Sequence, residues 1–490
     1  MPHVPVRSVF RPLVAVALTV GTLAACASSG GEKGSAAPAT SPPSVVLTEP
    51  AQQPVTRFPV GVKYARVAFD TYKPYLTKLG GGSGTFYEAT WCDVEPTEGT
   101  YDWSELDEVT AQAESVGQEL MLKVRVGSCW ATGGQIGEAR GAKGKTASTT
   151  PADMAKYDAF LNALVARYGA RGVKEWAIEN EVNNTAQWAG TPEEYVALVE
   201  HAAEVIRAAQ PDAVILDSGI SSPTMGTGIV VDLLAQNKPD EALAAYQRYY
   251  ARRHTSRTND YPAISTQAEL QKLVATDKWK YNEAMIEATL GLANDGVIDR
   301  LQTHFYERWD AAPLLVGFLR SKIPADMPIE AWEVGLFDVD DAMPEAQLAE
   351  EVTKTVSQLL AYGVARVLWL PLAADPNGTG GEEKRFGLLE PDGTPRLVAN
   401  AYEQLVKVTT GATLQPLDSK GLMGFVSRQG DKATVVAWAA DAPVPADWAT
   451  GASALGSTTT TAGGATGIGT SPVMVEVPVA QAAQLSGAPG

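Results

Sequence analysis

Two short stretches of this chain place acids where an apolar run has just ended. "WAIENEVNN", residues 176–184, carries Asn180 and Glu181, and "AWEVG", residues 331–335, carries Glu333. A carboxylate directly after a buried strand is costly unless it has a partner or a task. Two such groups can manage proton traffic around a bond to oxygen. One protonated carboxyl assists the leaving oxygen while an ionised one attacks or stabilises carbon, as glycosidic cleavage requires. Taken singly, Glu181 could cap a following helix, and Glu333 could be an ion-paired acid at a strand end. The elements that position them decide between these readings.

From about residue 60 the chain alternates short apolar strands with amphipathic helices. The strand candidates are residues 62–69, 85–91, 120–126, 173–179, 213–219, 297–305, 328–333 and 365–372. Helix starts are marked by Thr150-Pro151 and by the cap Thr191-Pro192-Glu193-Glu194. Strands joined by helical crossovers pair in parallel, and eight of them close a barrel. A doubly wound sheet would show G-x-G-x-x-G after its first strand, and none follows this one. The expected fold is therefore α/β, a (β/α)8 TIM barrel over residues 54–407 with a helical insertion at about 220–297. A small β-sandwich-like domain follows at 408–490. Side chains at the C-terminal strand ends of such a barrel face the substrate, so strands four and seven would bring Glu181 and Glu333 in from opposite sides. Strand alternation puts Glu179 beside Glu181 as a competitor or a pKa tuner. Loops carrying Trp130, Trp188 and Trp309 would line an extended cleft or close a pocket.

The ordered set of motifs resembles the clan A glycoside hydrolases, in particular their cellulase-, xylosidase- and arabinofuranosidase-type members. It comprises "NE" after the fourth strand, "HFY" (304–306) after the sixth, an acid after the seventh, "WCDVEPTEGTYDWSELD" (91–107) and "FGLLEPDGTPRLVANAYEQL" (386–405). The resemblance implies a retaining double displacement on an oligo- or polysaccharide, with Glu181 as acid/base, Glu333 as nucleophile and no cofactor. It further implies that Asn180 binds the hydroxyl next to the reacting carbon, that Tyr306 hydrogen-bonds the nucleophile, and that His304 lines the pocket. Trp369 would be the floor under the sugar, with Trp91 a second aromatic candidate. The cellulase-type members carry an arginine before the tryptophan of the second strand, and this chain has none there. Arg66 or Arg125 could replace it by supporting the nucleophile, or either could be an internal ion pair. The same site would also serve a transglycosylase, and a carbohydrate-binding lipoprotein without turnover is the reading from another class.

Composition sets the remaining bounds. The chain has 490 residues and a formal net charge of -18, which repels phosphate backbones and excludes nucleic acid as a partner. Arg7 and Arg11 precede an apolar run ending in Leu23-Ala24-Ala25-Cys26. That pattern resembles a lipobox, so residues 1–25 read as a lipoprotein signal peptide and Cys26 as the lipidated residue. Residues 26–53, rich in Ser, Gly, Ala and Pro, read as a flexible tether. The expected product is an exported, surface-anchored monomer whose only membrane contact is its lipid. Export permits a disulfide between Cys92 and Cys129. The four histidines, His3, His201, His254 and His304, form no Cys/His cluster with zinc-ligand spacing, so no metal is expected.

Overall fold

The computed structural model describes residues 58–133, 139–140, 145–253, 260–337, 343–374, 385–449, 453–454 and 467–486. The lipobox, Cys26 and the tether lie outside the described residues.

Eight short apolar strands form the barrel: β1 Val60–Val62, β2 Ser83–Thr90, β3 Glu119–Arg125, β4 Glu175–Ile178, β5 Val214–Leu216, β6 Leu301–Phe305, β7 Ile329–Val334 and β8 Val364–Trp369. All paired neighbours are parallel, in the order β5-β4-β3-β2-β1-β8-β7-β6. Single parallel bridges, Leu216 to Arg300 and Ile220 to Thr303, close the ring between β5 and β6. Closure there is thin because Asp217 takes the place of a backbone rung. Its carboxylate accepts the Gln302 amide, and its carbonyl accepts Gln302 Nε2 at 2.9 Å. The molecule is a (β/α)8 TIM barrel with a small β-sheet after it.

The first strand differs from the run expected at 62–69. β1 ends at Val62, residues 66–68 form a 3-10 turn, and helix α1 runs Phe69–Leu79. Arg66 stands in that turn, its guanidinium reaching outward to Glu105 and Glu108 rather than into the barrel. β1 and β2 also approach closely at Gly61, where a Cβ would stand 2.1 Å from the Gly84 carbonyl oxygen.

Helices α2 (Ser104–Val116), α3 (Met154–Gly169) and α4 (Pro192–Ala209) follow β2, β3 and β4. Thr191 and Glu194 form the expected capping box of α4, and Gly117 ends α2 in the left-handed conformation at φ 72°. Between β5 and β6 the described residues form four helices, α5 Ser222–Ala235, α6 Pro239–Tyr249, α7 Gln267–Val274 and α8 Asp277–Asn294. Tyrosines at the end of α6 tie it to the start of α5: the Tyr249 hydroxyl donates to Ser222 O at 2.9 Å and that of Tyr250 to Pro223 O at 2.6 Å. Helices α9 (Ala312–Lys322), α10 (Glu345–Ala361) and α11 (Leu397–Thr409) complete the outer ring. No helix among the described residues is long and apolar enough to cross a membrane.

After α11 the chain forms β9 Thr413–Pro416, β10 Leu422–Gln429, β11 Lys432–Ala439, β12 Ser453–Ala454 and β13 Val473–Val477, then α12 Val479–Leu485. Where a sandwich was expected, the described residues make one antiparallel sheet in the order β9-β10-β11-β13-β12. Period-two alternation explains how one sheet suffices. Phe425, Val436 and Trp438 join the barrel's core, with the Trp438 ring edge-on to Trp309 at 5.9 Å. Val426, Val435 and Ala437 face the other way, into a second core that includes Ala482 of α12.

Candidate active site

The C-terminal strand ends bring Glu181, Glu333, His304, Tyr306 and Asn180 together, around an ammonium group supplied by β3. Lys123 is fully buried, and its Nζ donates to Glu333 Oε1 at 2.7 Å and to Asn180 Oδ1 at 2.6 Å. It also lies 3.3 Å from His304 Nε2 and 4.6 Å from the centre of the Phe86 ring. An ammonium has only protons to offer, so the proton on the far side of His304 sits on Nδ1, which donates to Glu181 Oε1 at 3.0 Å. Tyr306 donates its hydroxyl to Glu333 Oε2 at 3.2 Å. Carboxylate oxygens of Glu181 and Glu333 lie within 4.8 Å of each other.

Burial opposes ionisation of Glu333, but the positive charge that His304 carries when both of its nitrogens are protonated, together with Lys123 and the Lys123 hydrogen bond, outweighs it and holds the carboxyl at about 2. Both glutamates keep an opening to solvent, with 14% of the Glu181 side chain and 12% of that of Glu333 exposed. They line one cavity of about 400 Å³ together with Glu88, Asn184, Arg253 and Phe337.

Glu179 has a different fate from the one alternation suggests. β4 ends at Ile178, and Glu179 and Glu181 both take left-handed backbone, at φ 68° and 43°. Such conformations cost non-glycine residues on the order of 1–3 kcal/mol each, so the surroundings must hold them. Glu179 is fully buried, accepts the Val126 amide at 2.7 Å and pairs with Arg125 Nε at 3.6 Å. Burial raises its pKa against the opposing pull of Arg125. The Glu181 amide donates to Ser218 O at 3.2 Å, which ties the turn to the end of β5. The twist at 179 sends the first carboxylate under the turn and leaves the second to the cavity.

Several expected site residues stand elsewhere. Arg125 is buried among Glu179, Glu88, Ser148 and the Gln187 carbonyl rather than beside Glu333. Arg66 serves surface carboxylates, so neither arginine supports the nucleophile candidate. Trp369 is fully buried in the core, its Nε1 donating to Phe386 O at 3.0 Å, and it offers no face to the cavity. Trp91 likewise packs on Phe160 at 5.6 Å and donates to Glu95 Oε2 at 2.6 Å. Trp130 leans on Trp91, Trp188 has no exposed surface, and Trp309 meets Trp438, so none of these lines the cavity. Cys92 and Cys129 are joined as a disulfide with Cα atoms 5.8 Å apart.

Lys123 is the functional residue that sequence reasoning missed. The signal was a lysine inside the apolar run "LMLKVRV", two positions before Arg125 and hence on the same face of the strand. Such a lysine is rarely buried without a partner.

Glu181, His304 and Glu333 are the set among the described residues whose donor atoms could converge on a metal ion. The Lys123 ammonium already lies against two of the three, which disfavours a second cation there.

No protein-family profile matches this chain, and no curated protein matches its sequence. Solved structures do match. A family 39 glycoside hydrolase from the gut symbiont Bacteroides cellulosilyticus WH2 superposes with a TM-score of 0.54 at 14% identity, covering 86% of this chain and 80% of its own. A GH39 β-xylosidase from Caulobacter crescentus gives 0.49 at 15% identity, covering 81% of each chain. A GH30 endoxylanase from Clostridium papyrosolvens C71 gives 0.48 at 15%, covering 87% and 95%. At this identity the first of these establishes a shared (β/α)8 fold, and the site must be argued from its own residues.

Proposed function

We propose that the protein is a retaining glycoside hydrolase that cleaves oligo- or polysaccharides by double displacement. The observation that carries this reading is the pair of carboxyl groups facing one cavity, with oxygens within 4.8 Å. Retaining enzymes separate the two groups by about 5–5.5 Å, whereas inverting enzymes leave a wider gap for water.

Glu333 is the nucleophile. Lys123 and Tyr306 fix its two oxygens and keep it ionised, so one lone pair can attack the anomeric carbon. Glu181 is the acid/base. Its Oε1 is held by His304 Nδ1, leaving Oε2 to protonate the departing oxygen and later to take a proton from the attacking water. Lys123 also orients Asn180 by binding its Oδ1, which aims the amide nitrogen at the hydroxyl beside the reacting carbon. The arginine of the cellulase-type members is replaced here by a lysine from β3. On this reading the enzyme is anchored at the cell surface through Cys26, a placement supported by the amino-acid sequence alone.

The test is a panel of aryl glycosides and polysaccharides, with the anomer of the first product followed by NMR. Retained configuration is expected. Inversion would overturn the double displacement, and no hydrolysis across the panel would favour sugar binding without turnover.

A further inference from the structure

We propose that Asp217 and Tyr195 are positioning residues for the acid/base, setting Glu181 and His304 in place through the backbone segment 217–220. This rests on the hydrolase reading above and adds to it the support on which the proton donor depends.

Asp217 stands in the seam between β5 and β6, where the barrel ladder is thinnest. It is fully buried and lies outside the lining of the catalytic cavity. Its two oxygens accept from backbone amides on the two sides of the seam, Oδ1 from Gln302 of β6 and Oδ2 from Gly219 at 2.9 Å. Burying a carboxyl group is costly, and this one offsets the cost by fixing 217–220 against β6. Tyr195, on α4, is buried as well, and its hydroxyl accepts the Ser218 amide at 2.9 Å.

The acid/base hangs from that segment. Ser218 O accepts the Glu181 amide at 3.2 Å, and Ile220 O accepts the His304 amide at 3.2 Å. His304 in turn holds Glu181 Oε1. Ser221 continues the segment, its amide donating to Asn183 Oδ1 at 3.0 Å while Asn183 Nδ2 donates to Ser221 Oγ at 2.7 Å. Glu181 needs such ties because its left-handed backbone is unfavourable on its own. Gly219, at φ 71°, lets the segment pass close against the imidazole, since a Cβ there would stand 2.5 Å from His304 Nε2.

The nucleophile is held from elsewhere, by Lys123 of β3 and by the Tyr306 hydroxyl. His304 lies 3.6 Å from Glu333 Oε2, beyond hydrogen-bond distance. Disturbing 217–220 should therefore misplace the proton donor and spare the attacking carboxylate.

The test uses Asp217→Asn and Tyr195→Phe in the full protein, with two aryl glycosides of a sugar that the wild type hydrolyses. Asparagine offers one acceptor oxygen where the carboxylate offers two, so one of the two amides loses its partner. One substrate releases dinitrophenol, which departs without a proton, and the other releases unsubstituted phenol, which depends on one. In Asp217→Asn, kcat/KM on the phenyl glycoside should fall about 10²-fold, the loss expected of a misplaced catalytic group. On the dinitrophenyl glycoside it should stay near the wild-type value. Tyr195→Phe should shift the same ratio in the same direction by a smaller factor, and it decides the question if Asp217→Asn does not fold. Equal losses on both substrates, or no loss on either, in the deciding variant overturn the proposal and leave the hydrolase reading standing, because a merely structural role does not discriminate between leaving groups. A wild type that hydrolyses no aryl glycoside of any sugar removes the hydrolase reading, and this proposal with it.

Discussion

The two ends of the barrel solve the same problem, acids inside a ring of strands, in opposite ways. At the N-terminal end Arg366 pairs with Glu119 at 2.7 Å, with Glu175 and with Glu330, while Arg300 pairs with Glu175 at 2.9 Å and with Glu330. Trp332 adds a hydrogen bond to Glu330 Oε2 at 2.7 Å. Each of these acids meets a guanidinium, and Glu175 and Glu330 are closed off from solvent. At the C-terminal end Lys123 faces Glu333 directly and Glu181 through His304, and both acids keep an open side. Glu330 and Glu333 stand three residues apart on the same strand. On the proposed reading, what separates a structural carboxylate from a reactive one is whether its last lone pairs are spent.

The contrast predicts separable damage. Removing one partner of a buried ion pair leaves the others uncompensated, at a cost of about 3–5 kcal/mol. Arg366→Met should therefore lower the urea midpoint strongly while the folded fraction keeps its kcat. A variant of normal stability and impaired kcat would show that the lower network reaches the site.

Lys123→Met should do the reverse. Loss of a preorganised charge beside the reacting group costs about 10²–10³-fold in kcat/KM, with less loss of stability than Arg366→Met. A pH effect should accompany it. In the wild type Glu333 ionises at about 2, so protonation of the nucleophile should not limit the rate until pH falls near that value. Without Lys123 its carboxyl should titrate higher, and an acid limb should appear in the pH profile of kcat/KM. Stability linkage has the same sign. A depressed folded-state pKa stabilises the protein above the unfolded value, and that contribution is lost as pH falls from 4.5 towards about 2. An unchanged profile would mean that Lys123 does not tune Glu333.

The comparison also shows what could be read in advance. Barrel class, seven of the eight strands near their places, and the meeting of Glu181 and Glu333 followed from apolar runs and from what lay at their ends, whereas His304 and Tyr306 were expected there only through the resemblance to clan A glycoside hydrolases. Failures arose where local geometry departs from a period. The left-handed turn at Glu179 and Glu181 breaks strand alternation. Arg125 and Lys123 share a face of β3, and only depth within the barrel decides which of them meets Glu333 and which meets Glu179. Trp369 belongs to a strand whose whole length is buried, so its aromatic character marked core rather than contact.

The central claim is that Glu333 forms a bond to sugar carbon, and covalent trapping tests it most directly. A 2-deoxy-2-fluoro glycoside with a good leaving group should inactivate the enzyme, adding one sugar mass to a peptide that contains Glu333. An adduct on Glu181 or on any other side chain, or rapid turnover of the natural substrate with no adduct from any such reagent, would contradict it.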